Sequence, residues 1–182
     1  MRKVAFLALV IGLVVFATSA EAASPRARIV PLRDADGDTI GTVSLTPADG
    51  GTVRVKVSVR DLPPGFHGFH VHAVGVCEPP FTSAGGHHNP AGASHPGHAG
   101  DLPVLYVTEG GRATAEVVTD RFAIKTLFDA DGSALIVHAK PDNYANIPTD
   151  RYDPDPDATT LATGDAGGRI ACGVIQERTS TG

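Results

Sequence analysis

Apolar and polar residues alternate along most of this chain once its first twenty-odd positions are passed. The clearest run is "TVRVKVSVR" (52–60), in which every second residue is valine. Such alternation marks a strand with one face buried and the other wet. "RARIVPLR" (26–33), "TIGTVSL" (39–45), "LPVLYVT" (102–108), "RATAEVVT" (112–119), "SALIVHAK" (133–140) and "RIACGVIQE" (169–177) are similar runs, and "FHGFHVHAV" (66–74) makes eight. Turn signals stand between them: "DADGD", "ADGG", "EGGR" and "DADG". Short strands at this spacing predict an all-β, antiparallel sandwich or barrel. "DRFAIKTLF" (120–128) predicts one helical turn and nothing longer. "DADGDT" (34–39) loosely resembles a calcium loop, but Thr39 stands where that loop needs glycine, so it reads as a hairpin turn.

Two segments break the pattern. Residues 75–101 are rich in Gly, Pro and His, and residues 139–168 in Pro, Asp, Asn and Thr. Long loops without elements of their own are usually functional or disordered, and the histidines mark the first as functional. The start of the chain is different again. "MRK" followed by the apolar "VAFLALVIGLVVFA" and the small residues Ala20 and Ala22 has the form of a signal peptide, residues 1–22, cut before Ala23. Residues 23–182 would then be a single exported domain, with no further run able to span a bilayer.

Composition narrows the function. Loss of Arg2, Lys3 and Glu21 with the leader leaves 13 basic and 19 acidic residues, a net charge near −6. No basic stripe or series of stacking aromatics points to nucleic acid. Two cysteines, Cys77 and Cys172, are an even count in an exported chain, and the default there is one disulfide.

The histidines carry the chemistry. Seven of the eight fall between His67 and His98, and the last, His138, lies in a strand-like run. His70 and His72, two apart, face the same side of a strand with backbones roughly 6.6 Å apart. His138 from another strand and His87 from the loop could complete four nitrogens, a set that suits copper(II). His95, His98 and Asp101 are spaced by three, and a third imidazole from His87 or His88 would close a tetrahedral zinc set. If His87 served both metals, its ring would give up both protons.

With those residues in view, the sequence resembles the copper-zinc superoxide dismutases. "GFHGFHVHAVG", "FTSAGGHHNP", "SHPGHAGDLP", "LIVHAKPDN" and "TGDAGGRIACGVI" each look like a family signature, in family order, and "DNYANIPTDRY" resembles the bacterial branch. The resemblance implies an eight-stranded Greek-key β-barrel with two long functional loops. It implies copper on His70, His72, His87 and His138, and zinc on His87, His95, His98 and Asp101. His67 matches a structural histidine, and His88 matches no ligand. Cys77 and Cys172 match the family disulfide, Asp142 the carboxylate linking a copper histidine to a zinc histidine, Arg169 the arginine beside copper, and Thr163 the residue across the channel mouth. The implied activity is dismutation of superoxide, with Arg169 and His87 as catalytic residues and Lys140 or Lys125 as the candidates for an assisting cation. The implied address is outside the cytoplasm: periplasm, cell envelope or medium. Monomer and homodimer both remain open. Two other readings are a copper-holding protein on the same fold, which needs neither Arg169 nor a closed zinc set, and an adhesion module, which predicts no clustered histidines.

Overall fold

The computed structural model describes residues 27–177 except positions 152 and 154. The expected signal peptide and the tail "RTSTG" lie outside the described residues. Eight strands form: β1 (Arg28–Arg33), β2 (Thr39–Pro47), β3 (Val53–Val59), β4 (Gly65–His72), β5 (Asp101–Val107), β6 (Ala113–Thr119), β7 (Ser133–His138) and β8 (Arg169–Ile175). They make one antiparallel sheet in the order β5-β4-β7-β8-β1-β2-β3-β6, and β5 approaches β6 to nearly close a barrel. β3 and β4 are consecutive but unpaired, as are β6 and β7, so two connections cross in Greek-key fashion.

The valine alternation of β3 survives unchanged. Val53, Val55, Val57 and Val59 are at most 4% exposed, and the residues between them face solvent. With Leu32, Val43, Leu45, Leu105 and Leu135 they fill the barrel. Each such side chain contributes about 1.5–3 kcal/mol by leaving water.

β4 departs from simple alternation, and that departure positions the site. Phe69 and Val71 join the barrel core, whereas His70 and His72, on the opposite face, are 0% and 1% exposed. The loop between β4 and β5 covers that face. Val71 N–H donates to Gly100 O at 2.9 Å, His88 N–H to Val71 O at 2.8 Å, and Gly100 N–H to His88 O at 2.8 Å. Gly100 must be glycine, since a Cβ there would run into the Val71 carbonyl and meet His88 N at 3.0 Å. The loop is anchored further on by the Cys77–Cys172 disulfide, whose Cα atoms are 5.7 Å apart and which closes a span of 95 residues. That closure is worth about 4–5 kcal/mol in the chain-entropy model.

The expected single turn in 120–128 is a 3₁₀ helix, Ile124–Leu127. "DADGDT" is a turn in which the Asp34 carboxylate accepts the N–H groups of Asp36 and Asp38. Residues 139–168 hold an element that alternation does not predict, the short helix α1 (Ala158–Thr163). Its signals are local: Asp157 accepts from Thr159 and Thr160 N–H as an N-cap, and Gly164 closes it with φ 59°. Among the described residues no helix is long and apolar enough to cross a membrane.

Candidate metal centre

Two groups of ligand-type side chains form among the described residues, and His87 belongs to both. One is His70, His72, His87 and His138. The other is His87, His95, His98 and Asp101. Within each, the potential ligand atoms lie within 4.8 Å of one another. The spacing left His87 and His88 as alternatives for the third imidazole, and the fold selects His87. It forms a bridge to His72, whereas His88 turns to the other side of the loop, beside Asp120 and Phe122.

The hydrogen bonds fix which nitrogen of each ring is left over. His72 Nδ1–H donates to Gly85 O at 2.9 Å and His138 Nδ1–H to Gly167 O at 3.1 Å, because a carbonyl can only accept. Their Nε2 atoms, left as lone pairs, face each other at 3.2 Å. His70 donates Nε2–H to Asp142 Oδ2 at 2.7 Å, and its buried Nδ1 has no partner. Three lone pairs thus converge where a cation is the natural partner.

The second group is organised by carboxylates. Asp101 Oδ1 lies 2.8 Å from His87 Nδ1 and 3.3 Å from His98 Nδ1. His95 donates Nε2–H to Asp142 Oδ1 at 2.8 Å. Its buried Nδ1 is 3.1 Å from Asp101 Oδ2, outside hydrogen-bonding geometry. Three imidazoles and one carboxylate with this arrangement fit a closed tetrahedral zinc set, and the first group fits copper.

Titration follows the same geometry. Burial strips water from His72 and His138 and pushes them down to about 2 and about 3, and it lowers His70 as well. Burial also opposes charge on His95, but the adjacent carboxylates of Asp101 and Asp142 outweigh it and raise that ring to about 9. For Asp101 and Asp142 burial acts upward, yet bonds to the histidines hold both carboxyls well below the usual range. His70, His72 and His138 therefore offer neutral nitrogen, while the second set carries anionic oxygen, as the two metals require.

His67 stands apart from both groups. One ring nitrogen is 2.7 Å from His138 O and the other 2.8 Å from Pro63 O, which leaves neither for a metal. Arg169 reaches two carbonyls of the covering loop, Phe81 O and Gly85 O, the latter at 2.5 Å. It lines a cavity of about 560 Å³ together with His72, His87, His138, Lys140 and Thr163. Lys125 lies in the 3₁₀ turn and is not on that wall. Sequence reading missed three supports. Arg121 donates to Pro96 O and His98 O at 2.6 and 3.0 Å, Gly164 packs on Asp142, and Tyr144 binds Asp142 through its backbone.

The sequence profile described as copper/zinc superoxide dismutase (SODC) matches residues 39–175, most of the chain and all of both ligand groups. The chain belongs to the copper/zinc superoxide dismutase family. The superoxide dismutase [Cu-Zn] of Mycobacterium tuberculosis is 43% identical over 158 residues, 77% of this chain and 66% of that protein's length. The chain therefore spans just under two thirds of that relative. The superoxide dismutase [Cu-Zn] of Escherichia coli K12 is 37% identical over 189 residues, 96% of this chain and 98% of the relative. The Cu/Zn superoxide dismutase structure from Brucella abortus has a TM-score of 0.64 at 33% identity, covering 83% of this chain and all of that one. A SOD-like protein from Bacillus subtilis matches as well in shape, with a TM-score of 0.66 at 31% identity over 82% of this chain and 98% of that one. The fold is common to all of these, so the ligand sets must carry the functional argument. As a member of this family the chain takes copper and zinc as its metals.

Proposed function

We propose that this protein is an exported superoxide dismutase whose two metals share the His87 imidazole. One observation carries the reading: His87 stands in both ligand groups and lines a cavity that also holds Arg169. Copper held by His70, His72, His87 and His138 supplies alternating one-electron oxidation and reduction, by which two superoxide ions and two protons become oxygen and hydrogen peroxide, while zinc on His87, His95, His98 and Asp101 supplies a fixed charge without redox change.

The chain's own residues do the rest. Arg169 binds the anion at the cavity wall, and its two carbonyl partners stop the guanidinium from swinging into solvent. Thr163, with Thr159 and Ala162 of α1, lines the same cavity and helps to shape access to it. His87, with Nδ1 turned to Asp101 and His98, has Nε2 as the atom that holds and returns a proton in the second half of the cycle. Asp142 fixes the orientation of one ring in each set. Lys140 adds a second cation at the wall. Export agrees with the leader-like first 22 residues and with a disulfide that an oxidising compartment maintains.

A copper-holding protein on the same fold is the alternative. Such proteins offer exchangeable sulfur ligands, but this chain has a single methionine, Met1, and both cysteines are tied in the disulfide. The test is superoxide decay per bound copper, on protein loaded with both metals and with a chelator present to silence free copper. Faster decay in proportion to bound copper supports the enzyme. Bound copper without faster decay overturns it.

A further inference from the structure

Tyr144 has no part in that cycle, although it touches the centre from two sides. Its backbone N–H donates to Asp142 Oδ1 at 2.6 Å, the same oxygen that receives His95 Nε2–H. Its hydroxyl accepts the N–H of Val104 at 2.9 Å. Val104 lies on β5, three residues after Asp101, where the β4–β5 register slips between His67 and Phe69. One residue thus connects the strand that begins with the zinc carboxylate, through its side chain, to the carboxylate that links the two ligand sets, through its backbone.

The local backbone needs such a tether. Tyr144 and Ala145 both take left-handed conformations, with φ of 57° and 52°, which residues bearing a Cβ adopt only when their surroundings impose it. Two contacts impose it here: the hydroxyl on Val104, and Ala145 N–H on Asn143 Oδ1 at 2.8 Å. Without the left-handed turn, the Tyr144 N–H would not point at Asp142. We propose that Tyr144 is a positioning residue: its hydroxyl, tied to β5, holds the turn whose N–H fixes the Asp142 carboxylate, and through it the rings of His70 and His95. The assignment rests on the reading of His95 as a zinc ligand and His70 as a copper ligand.

Tyr144→Phe removes the hydroxyl alone. Two readouts follow. In the metal-free protein, magnetic resonance reports exchange with water of the His70 and His95 Nε2–H protons bonded to Asp142. In a separate titration, zinc is competed against a chromophoric chelator. The expected result is faster exchange of both protons and a zinc Kd raised about tenfold, the usual size of effect when a ligand's hydrogen-bonded support is lost. Val55→Ala, a truncation within β3 and remote from this loop, is the control, because it lowers stability without touching the tether. Unchanged exchange and zinc affinity in Tyr144→Phe, or an equal shift in Val55→Ala, overturns the proposal. The wild-type protein supplies an independent check: the Val104 amide should resist hydrogen exchange, and free exchange there overturns the tether whatever the variant does. A wild type that binds no zinc overturns the zinc assignment, while the proton-exchange comparison still judges Tyr144.

Discussion

His72 Nε2 and His138 Nε2 face each other at 3.2 Å, and neither carries the proton that would make this a hydrogen bond. Each ring has already committed its Nδ1–H to a carbonyl, Gly85 O for His72 and Gly167 O for His138. The chain therefore holds two lone pairs against each other on a rigid sheet. It is organised for a cation before the cation arrives, and this preorganisation makes the metal-free protein vulnerable to acid.

The sign follows from linkage. His72 and His138 titrate near 2 and near 3 in the fold but near 6.5 in the unfolded chain, so below about 6.5 the unfolded state binds more protons. Their contribution to stability is complete above about pH 6.5 and falls away as pH drops toward 3. The metal-free protein should melt progressively lower from pH 7 to pH 4. The loaded protein should hold its melting temperature until the ligands protonate and release the metals. Calorimetry across that range, with and without metals, checks both.

Asp142→Asn should weaken zinc about 10–100-fold while leaving the barrel folded. Asp142 now accepts from His70 Nε2–H through one oxygen and from His95 Nε2–H through the other. An amide offers one acceptor and one donor, so one imidazole N–H must lose its partner. Competition with a zinc chelator measures the loss.

Gly164→Ala should cost at least about 1 kcal/mol from backbone conformation alone, because φ is 59° there. The added methyl also lands on Asp142 Oδ1 and comes within 2.6 Å of His95 Nε2. Melting temperature and zinc affinity should both fall, and more than for Ala162→Gly, two positions earlier at an exposed site of α1.

Cys77→Ser should lower stability by about 2–5 kcal/mol. It should also lower activity per bound copper, because Phe81 and Gly85, the residues whose carbonyls hold Arg169, lie on the loop that Cys77 pins to Cys172 on β8. Denaturant unfolding and superoxide decay on matched copper content check the two effects separately.

How much of this was legible in the sequence depends on the range of the interaction. Period-2 alternation marks the half-buried strands residue by residue, as the valines of β3 show. By contrast β7, buried at every position, and the inner half of β4 were legible only as apolar or histidine-bearing runs between turn signals. The histidine spacing and the family resemblance pointed to both ligand groups. Spacing alone left His87 and His88 undecided, because the choice depends on how the loop docks on Val71. The helix α1 escaped because it is six residues long and its apolar stripe is too short to show a period. Tyr144 escaped for a different reason: its partner Val104 is forty positions away and offers only a backbone N–H, which leaves no mark on residue type.

The most direct test of the account is the salt dependence of the superoxide decay rate constant for the loaded protein. Its formal net charge of −5 over the whole chain repels an anionic substrate, so a protein without a focusing cavity should speed up as salt screens that repulsion. The account places Arg169 and Lys140 on the cavity wall and predicts the opposite: a rate constant of order 10⁸–10⁹ M⁻¹s⁻¹ at low salt that falls as salt rises. Arg169→Ile should lower the constant and flatten the dependence. A slow reaction, or one that quickens with salt, would contradict the claim that this cavity draws superoxide to the histidines around His87.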